Sequence, residues 1–187
     1  MTRIRFDECI SHRIVAAMKA FGVPAGIEIE HALECGDGGR ADVDWLSAFK
    51  AGGGRCIVTG DPAMRGKIVE RMTLQSLDLV AIFPPRKGSW FMKLGRYGQA
   101  SYLIRWLPVI AELAPTAEAG AHFMLPPTFE PDISRVERLR AIRGPTLSEV
   151  TEKRAARSRS KRRDDRVMTD KNDLVSLAAK KTIKTTA

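Results

Sequence analysis

The sequence predicts an α/β protein: a mostly parallel sheet with helices on both faces, followed by a basic, largely disordered C-terminal tail. Three observations predict it. Strand-like and helix-like segments alternate from residue 3 to residue 125, the pattern of βαβ units. Hydrophobic residues make up 44% of the 187 residues, enough for one buried core. The charge is segregated: residues 1–133 hold 15 Lys and Arg against 15 Asp and Glu, whereas residues 134–187 hold 16 against 7 and carry the whole net +9. A neutral folded body over 1–133 and a solvated basic tail over 134–187 follow from that division.

The elements follow in order. Arg3-Ile4-Arg5-Phe6 alternates as a short strand and ends in Asp7-Glu8. Ser11 is an N-cap for a helix with Ile14, Val15, Met18 and Phe21 on one stripe, stopped by Gly22-Val23-Pro24. Ile27 to His31 reads as a second strand, and Cys35 to Gly39 as a loop. Asp42 caps a helix carrying Trp45, Leu46 and Phe49, closed by Gly52-Gly53-Gly54. Cys56-Ile57-Val58 is a strand running into Thr59-Gly60-Asp61-Pro62. Residues 64–75 read as one helix and Leu77 to Phe83 as a strand ended by Pro84-Pro85. Residues 91–113 form the longest helical pattern, with Leu94, Tyr97, Leu103, Leu107 and Ile110. His122 to Leu125 is a last short strand. In the tail, Leu139, Ile142, Leu147 and Val150 are too few for an independent core, and Lys153 to Arg166 is a basic run; partial helix and disorder are expected there.

Several classes of protein are excluded. No apolar run approaches the ~20 residues that span a bilayer. The opening MTRIRFDECI places acids where a signal peptide needs an apolar stretch, so a cytoplasmic location is expected. Cys9, Cys35 and Cys56 are scattered, with no CxxC, and read as free thiols in a reducing compartment. There is no GxGxxG after the first strand, no GxxxxGK[ST] and no GxSxG, so dinucleotide, P-loop and serine-hydrolase chemistry lack their fingerprints. His12, His31 and His122 show no metal spacing. Trp45, Trp90, Tyr97, Tyr102 and Trp106 read as core or groove-lining aromatics.

The acids carry the chemistry. Asp7 ends the first strand and Asp61 follows the third. In a parallel sheet with right-handed crossovers both arrive at the same edge, where ligands bind. Asp42 and Asp44 open the helix that precedes the third strand, near that edge. Carboxylates gathered a few Å apart repel unless a cation lies between them, and hard oxygen donors suit Mg²⁺ or Mn²⁺. Such an ion polarises a phosphodiester oxygen and activates water. Taken singly, the same residues have structural readings: Asp42 as an N-cap, Asp44 as a first-turn acid, Asp61-Pro62 as a turn. Arg65, Lys67 and Arg71 follow Asp61 on the next helix and are candidates to bind an RNA phosphate backbone; a solvated charged face is the alternative.

These residues resemble a family. RIRFDECIS is similar to the start of PIN-like domain proteins, ADVDWLSAFKAGGGRCIVTGD to their middle, and FMKLGRYGQASYLIRWLPVIAELA to the last helix of a VapC-type subfamily. The resemblance covers about residues 3–130. It implies a three-layer α/β/α PIN-like fold and a Mg²⁺- or Mn²⁺-dependent endoribonuclease, in many relatives a toxin opposed by an antitoxin. It implies Asp7 as the first metal ligand, Glu8 as the second acid of the opening pair and Asp61 as a later ligand. Asp42 is favoured over Asp44 as the intervening acid, the triple glycine leaving that match open. Cys9 stands where such relatives often carry a polar residue such as Asn. The fourth acid has no clear match after Asp61; Glu70 and Asp78 are the candidates. The competing reading is a non-catalytic module on the same fold that binds RNA or a protein partner through the basic tail, its affinity falling steeply with salt. The apolar long helix suggests a homodimer.

Overall fold

The structure is a computed structural model and describes residues 1–85 and 90–141. The expectations for the tail beyond 141 lie outside the described residues. The chain runs β1 (Thr2–Phe6), α1 (His12–Phe21), β2 (Ile27–His31), α2 (Asp42–Ala51), β3 (Gly54–Val58), α3 (Pro62–Gly66), α4 (Ile68–Ser76) and β4 (Val80–Phe83). It continues with α5 (Trp90–Lys93), α6 (Gly95–Thr116), β5 (His122–Met124), a 3-10 turn at Ile133–Arg135 and β6 (Glu137–Leu139). The sheet has the order β2-β1-β3-β4-β5-β6. Every neighbouring pair is parallel except β5 with β6.

The expected α/β/α layering holds, and strand alternation explains it. On β1, Ile4 and Phe6 point to one face and join Ile14, Val15 and Met18 of α1 and Leu103, Trp106 and Ile110 of α6. The opposite face belongs to α2, α3 and α4: Trp45, Leu46, Phe49, Met64 and Leu74 pack on Ile57 and Ala81. Two buried aromatics of α6 satisfy their polar tips on the chain after β5. The Tyr102 hydroxyl donates to Pro126 O at 2.9 Å, and Trp106 Nε1 donates to Thr128 O at 2.8 Å. α6 therefore buries much of its apolar stripe within the chain itself.

Local detail departs from the sequence reading in several places. Phe21 and Tyr97, both expected on apolar stripes, are 78% and 95% exposed. Ser11 occupies the N-cap of α1 but makes no side-chain cap bond. Ala41, not Asp42, is the N-cap of α2, and Asp42 is its first helical residue. The helix expected over 64–75 is two helices, because Lys67 takes an extended backbone and restarts the chain as the cap of α4. Strand β4 begins at Val80, since Leu77 and Asp78 close α4, Asp78 in the left-handed region. The long pattern over 91–113 divides at Gly95, whose φ of 63° few other residues adopt. β6, with no apolar alternation of its own, adds to the sheet through β5 and lies within the stretch read as tail. Among the described residues, no helix is long and apolar enough to cross a membrane.

Candidate active site

β1 sits between β2 and β3, so the chain leaves it in one direction for β2 and crosses in the other for β3. Such a reversal opens a crevice at the carboxyl ends of the strands. Asp7 follows β1 there, and Thr59-Gly60-Asp61 follows β3. The Asp7 N–H continues the ladder to Val58 O at 3.0 Å, which fixes the two strand ends side by side. An open cleft of ≈ 450 Å³ at this edge is lined by Asp7, Glu8, Cys9, Leu33, Asp42 and Asp61. The structure thus brings Asp7, Asp42 and Asp61 to one cleft with Glu8 at its rim. Asp44 is exposed and does not line it.

Asp7 is buried, and its carboxylate accepts three hydrogen bonds. Oδ1 accepts from Glu8 N at 2.7 Å; Oδ2 accepts from Thr59 Oγ1 at 2.7 Å and from the Cys9 thiol at 3.1 Å. Buried carboxylates need such donors. Thr59 also accepts from Asp61 N at 3.1 Å, so one hydroxyl links the two acids. Cys9 adds a second link, its Sγ accepting from Gly60 N at 3.0 Å. Burial, with the charge and hydrogen bond of Asp7 added, pushes the Cys9 thiol up to about 12. It stays protonated and serves as a donor rather than a nucleophile.

Asp42 enters from α2, where Trp45 Nε1 donates to its Oδ1 at 3.3 Å. Burial pushes its carboxyl above the ordinary range, and the charges of Asp7, Asp61 and Glu70 push it further, against the Trp45 bond. Asp42 thus feels the charges of all three. Glu70 therefore belongs to the neighbourhood of the cleft: its side chain is only 14% exposed, Lys67 Nζ lies 3.4 Å from one oxygen, and the other is buried with no hydrogen-bond partner among the described residues. Asp78 is placed elsewhere, ahead of β4 at the opposite edge of the sheet.

Supporting groups fix the cleft walls. His31 is fully buried; its Nδ1 accepts from Leu33 N at 3.1 Å, so Nε2 carries the proton that it gives to Ile10 O at 2.6 Å. It ties the segment after Asp7 to the end of β2. Arg5, buried beside β1, pairs with Glu30 and with Asp37, while Arg40 holds the second Asp37 oxygen at 2.9 Å. This anchors the loop over 32–40 that carries Leu33, and Gly39 N reaches Glu8 Oε2 at 3.3 Å. Sequence reasoning missed His31, Arg5 and Asp37 as positioning residues. Thr59 carried a signal, since its Thr-Gly-Asp spacing was visible.

The basic residues of α3 and α4 are partly committed. Lys67 pairs with Glu70, and Arg71 Nη2 donates to Arg140 O at 2.6 Å, its pKa lowered by burial. Arg65 is half-buried and makes an interaction of its own.

The donor set is all oxygen and fits a hard divalent cation by chemistry. Among the described residues, however, no three His, Cys, Asp or Glu side chains group closely enough to hold an ion. No curated protein and no solved structure matches the chain. Residues 2–85, the stretch that runs from β1 through β4 and contains every acid of the cleft, match the family model of the PIN like domain, which is commonly a nuclease fold.

Proposed function

We propose that the protein is a Mg²⁺- or Mn²⁺-dependent endoribonuclease of the PIN-like type. The observation that carries this reading is the single cleft at the strand-order reversal, lined by Asp7, Asp42 and Asp61 from three separate elements. Asp7, Asp42 and Asp61 line the cleft but do not by themselves gather into a ligand group, so they would ligate an ion that arrives with the substrate phosphate as a further donor, with Glu8 and Glu70 at the margin. When bound, the ion supplies polarisation of the phosphodiester and a water acidic enough to attack phosphorus. The chain supplies position. Thr59 and the Cys9 thiol hold the Asp7 carboxylate in one orientation, and Thr59 fixes the backbone of Asp61 against it. Asp42 contributes a carboxylate oriented by Trp45. The mutual repulsion of these acids favours binding a cation together with the substrate phosphate.

The test is cleavage of a mixed panel of RNAs by the purified full chain in Mg²⁺ and in Mn²⁺. Asp7→Asn and Asp61→Asn are expected to lose at least a hundredfold in rate with unchanged circular dichroism. Undiminished cleavage by the double variant overturns the reading. Growth arrest on expression of the wild type, relieved in Asp7→Asn, tests the finer reading as a VapC-type toxin met by an antitoxin, which rests on the sequence resemblance.

A second reading is favoured by one observation, the lack of a three-residue ligand group among the described residues. On it the domain is a non-catalytic RNA- or protein-binding module aided by the basic tail. Absence of cleavage by the wild type with both metals, together with salt-sensitive RNA binding, selects it.

A further inference from the structure

A second groove, ≈ 570 Å³, adjoins the acid cleft and shares Glu8, Cys9 and Leu33 with it. Its other walls differ in sign. They are Ser11, His12 and Arg13, at the start of α1, and Gly95, Arg96 and Gln99, at the start of α6, with Met92 beside them. Both helices present their N-terminal ends here, and neither has a side-chain cap bond or an acid in its first turn. No acid within either first turn offsets the positive ends of the two dipoles, one from a helix of 10 residues and one from a helix of 22; Glu8, shared with the acid cleft, is the carboxylate in the lining. Arg13 and Arg96 are exposed, and neither forms an ion pair with an acid among the described residues. The other arginines near the cleft are engaged: Arg5 and Arg40 in the Asp37 network, Arg71 on Arg140. Two unpaired guanidinium groups and two uncapped helix starts around one groove make a site for phosphate. Met92, 60% exposed, adds an apolar surface against which a base or ribose can rest.

We infer that this groove is the phosphate track for a single RNA strand on its way to the acid cleft, with Arg13 and Arg96 contacting the backbone. The inference rests on the nuclease reading for its choice of ligand. The arrangement gives the two clefts complementary tasks. The acid cleft repels a bare phosphate, and the neighbouring arginines retain the strand whose scissile phosphate must sit there.

The experiment uses the full chain in EDTA, which removes cleavage from the measurement, and a fluorescein-labelled single-stranded RNA of mixed sequence followed by anisotropy across a salt series. Arg13→Ala/Arg96→Ala is expected to weaken binding at least tenfold. It is also expected to lower the slope of log affinity against log salt by about 1.4, at about 0.7 for each single-strand phosphate contact. Arg105→Ala/Arg135→Ala removes the same charge from exposed sites away from the groove and is expected to change affinity less than twofold. Arg13→Lys/Arg96→Lys should restore most of the slope. A groove variant that binds like the charge-matched control overturns the inference. So does a groove variant that loses thermal protection by inorganic phosphate but binds the RNA as the wild type does, because the groove then holds a free anion. If the wild type cuts RNA while the groove variant equals the control, the nuclease reading stands and the track falls. If the groove variant loses binding while no RNA is cut, the track stands and the nuclease reading falls.

Discussion

Thr59 is the smallest group on which the cleft depends. Its hydroxyl donates to a buried carboxylate oxygen and accepts from the backbone of Asp61. Removing it leaves the buried Asp7 carboxylate short of a donor, at a cost of about 1–3 kcal/mol. Thr59→Val, which keeps the shape of the side chain, is therefore expected to lower the melting temperature by several degrees and to reduce cleavage at least tenfold. Thr59→Ser should keep most of both, although it loses the β-branched methyl in the packed interior. Equal stability and activity in Thr59→Val and the wild type would show that the hydroxyl does not hold Asp7. Cys9 makes the same kind of link more weakly. It donates to Asp7 and accepts from Gly60 without ionising.

At the scale of the element, β1 and β2 carry an ion network on the face turned to α2. Arg3 and Arg5 both reach Glu30, and Arg5 also lies 4.4 Å from the centroid of the Phe49 ring. Burial raises the Glu30 carboxyl, but the hydrogen bond from Arg3 and the charge of Arg5 outweigh it and hold the group below its ordinary 4.5. A depressed folded value means that the folded state holds the proton less tightly than the unfolded chain. The stabilisation is therefore complete above about pH 4.5 and is lost as pH falls through the lowered folded value. Thermal melts in EDTA between pH 7 and pH 3 should fall more steeply below that point for the wild type than for Glu30→Gln. Parallel curves would show that Glu30 contributes nothing to the acid limb. Because the same network grips Asp37, loosening of the loop over 32–40 should accompany the loss.

For the whole molecule, the reversal of strand order at β1 concentrates negative charge at one edge, and stability suffers for it. Asp42 is raised by burial and by Asp7, Asp61 and Glu70 together. A group raised in the folded state is less destabilising at low pH, where it is protonated, and more so as pH rises through its folded value. Asp42→Asn keeps an oxygen for Trp45 and removes the repulsion. In EDTA at pH 7 it is expected to raise the melting temperature by roughly 1–3 °C, a modest gain because the group is partly exposed to screening solvent. The gain should shrink toward pH 4. A lower melting temperature for Asp42→Asn would mean that the Trp45 hydrogen bond, not repulsion, dominates at this position. Loss of cleavage together with a gain in stability is the pattern expected of a binding site built against folding.

The sequence by itself determined the layered α/β architecture and the shared edge of Asp7 and Asp61. Both depend on local periodicity and on the handedness of crossovers, which every chain obeys. It also brought the acids that open α2 toward that edge, favouring Asp42 and leaving Asp44 as the alternate. Tertiary structure alone decided the rest. Asp44 is one helical step past the cleft, and only the rotation of α2 about Trp45 and Phe49 sets which acid faces inward. Glu70 and Asp78 are indistinguishable as isolated acids, yet the break at Lys67 turns α4 so that one approaches Asp42 while the other closes the helix at the far edge. The three-residue β6 has no pattern to read and exists because β5 offers it an open edge. The groove of Arg13 and Arg96 joins residues more than 80 positions apart, a proximity set by the packing of α1 and α6 on one face of the sheet and by no local preference of either segment.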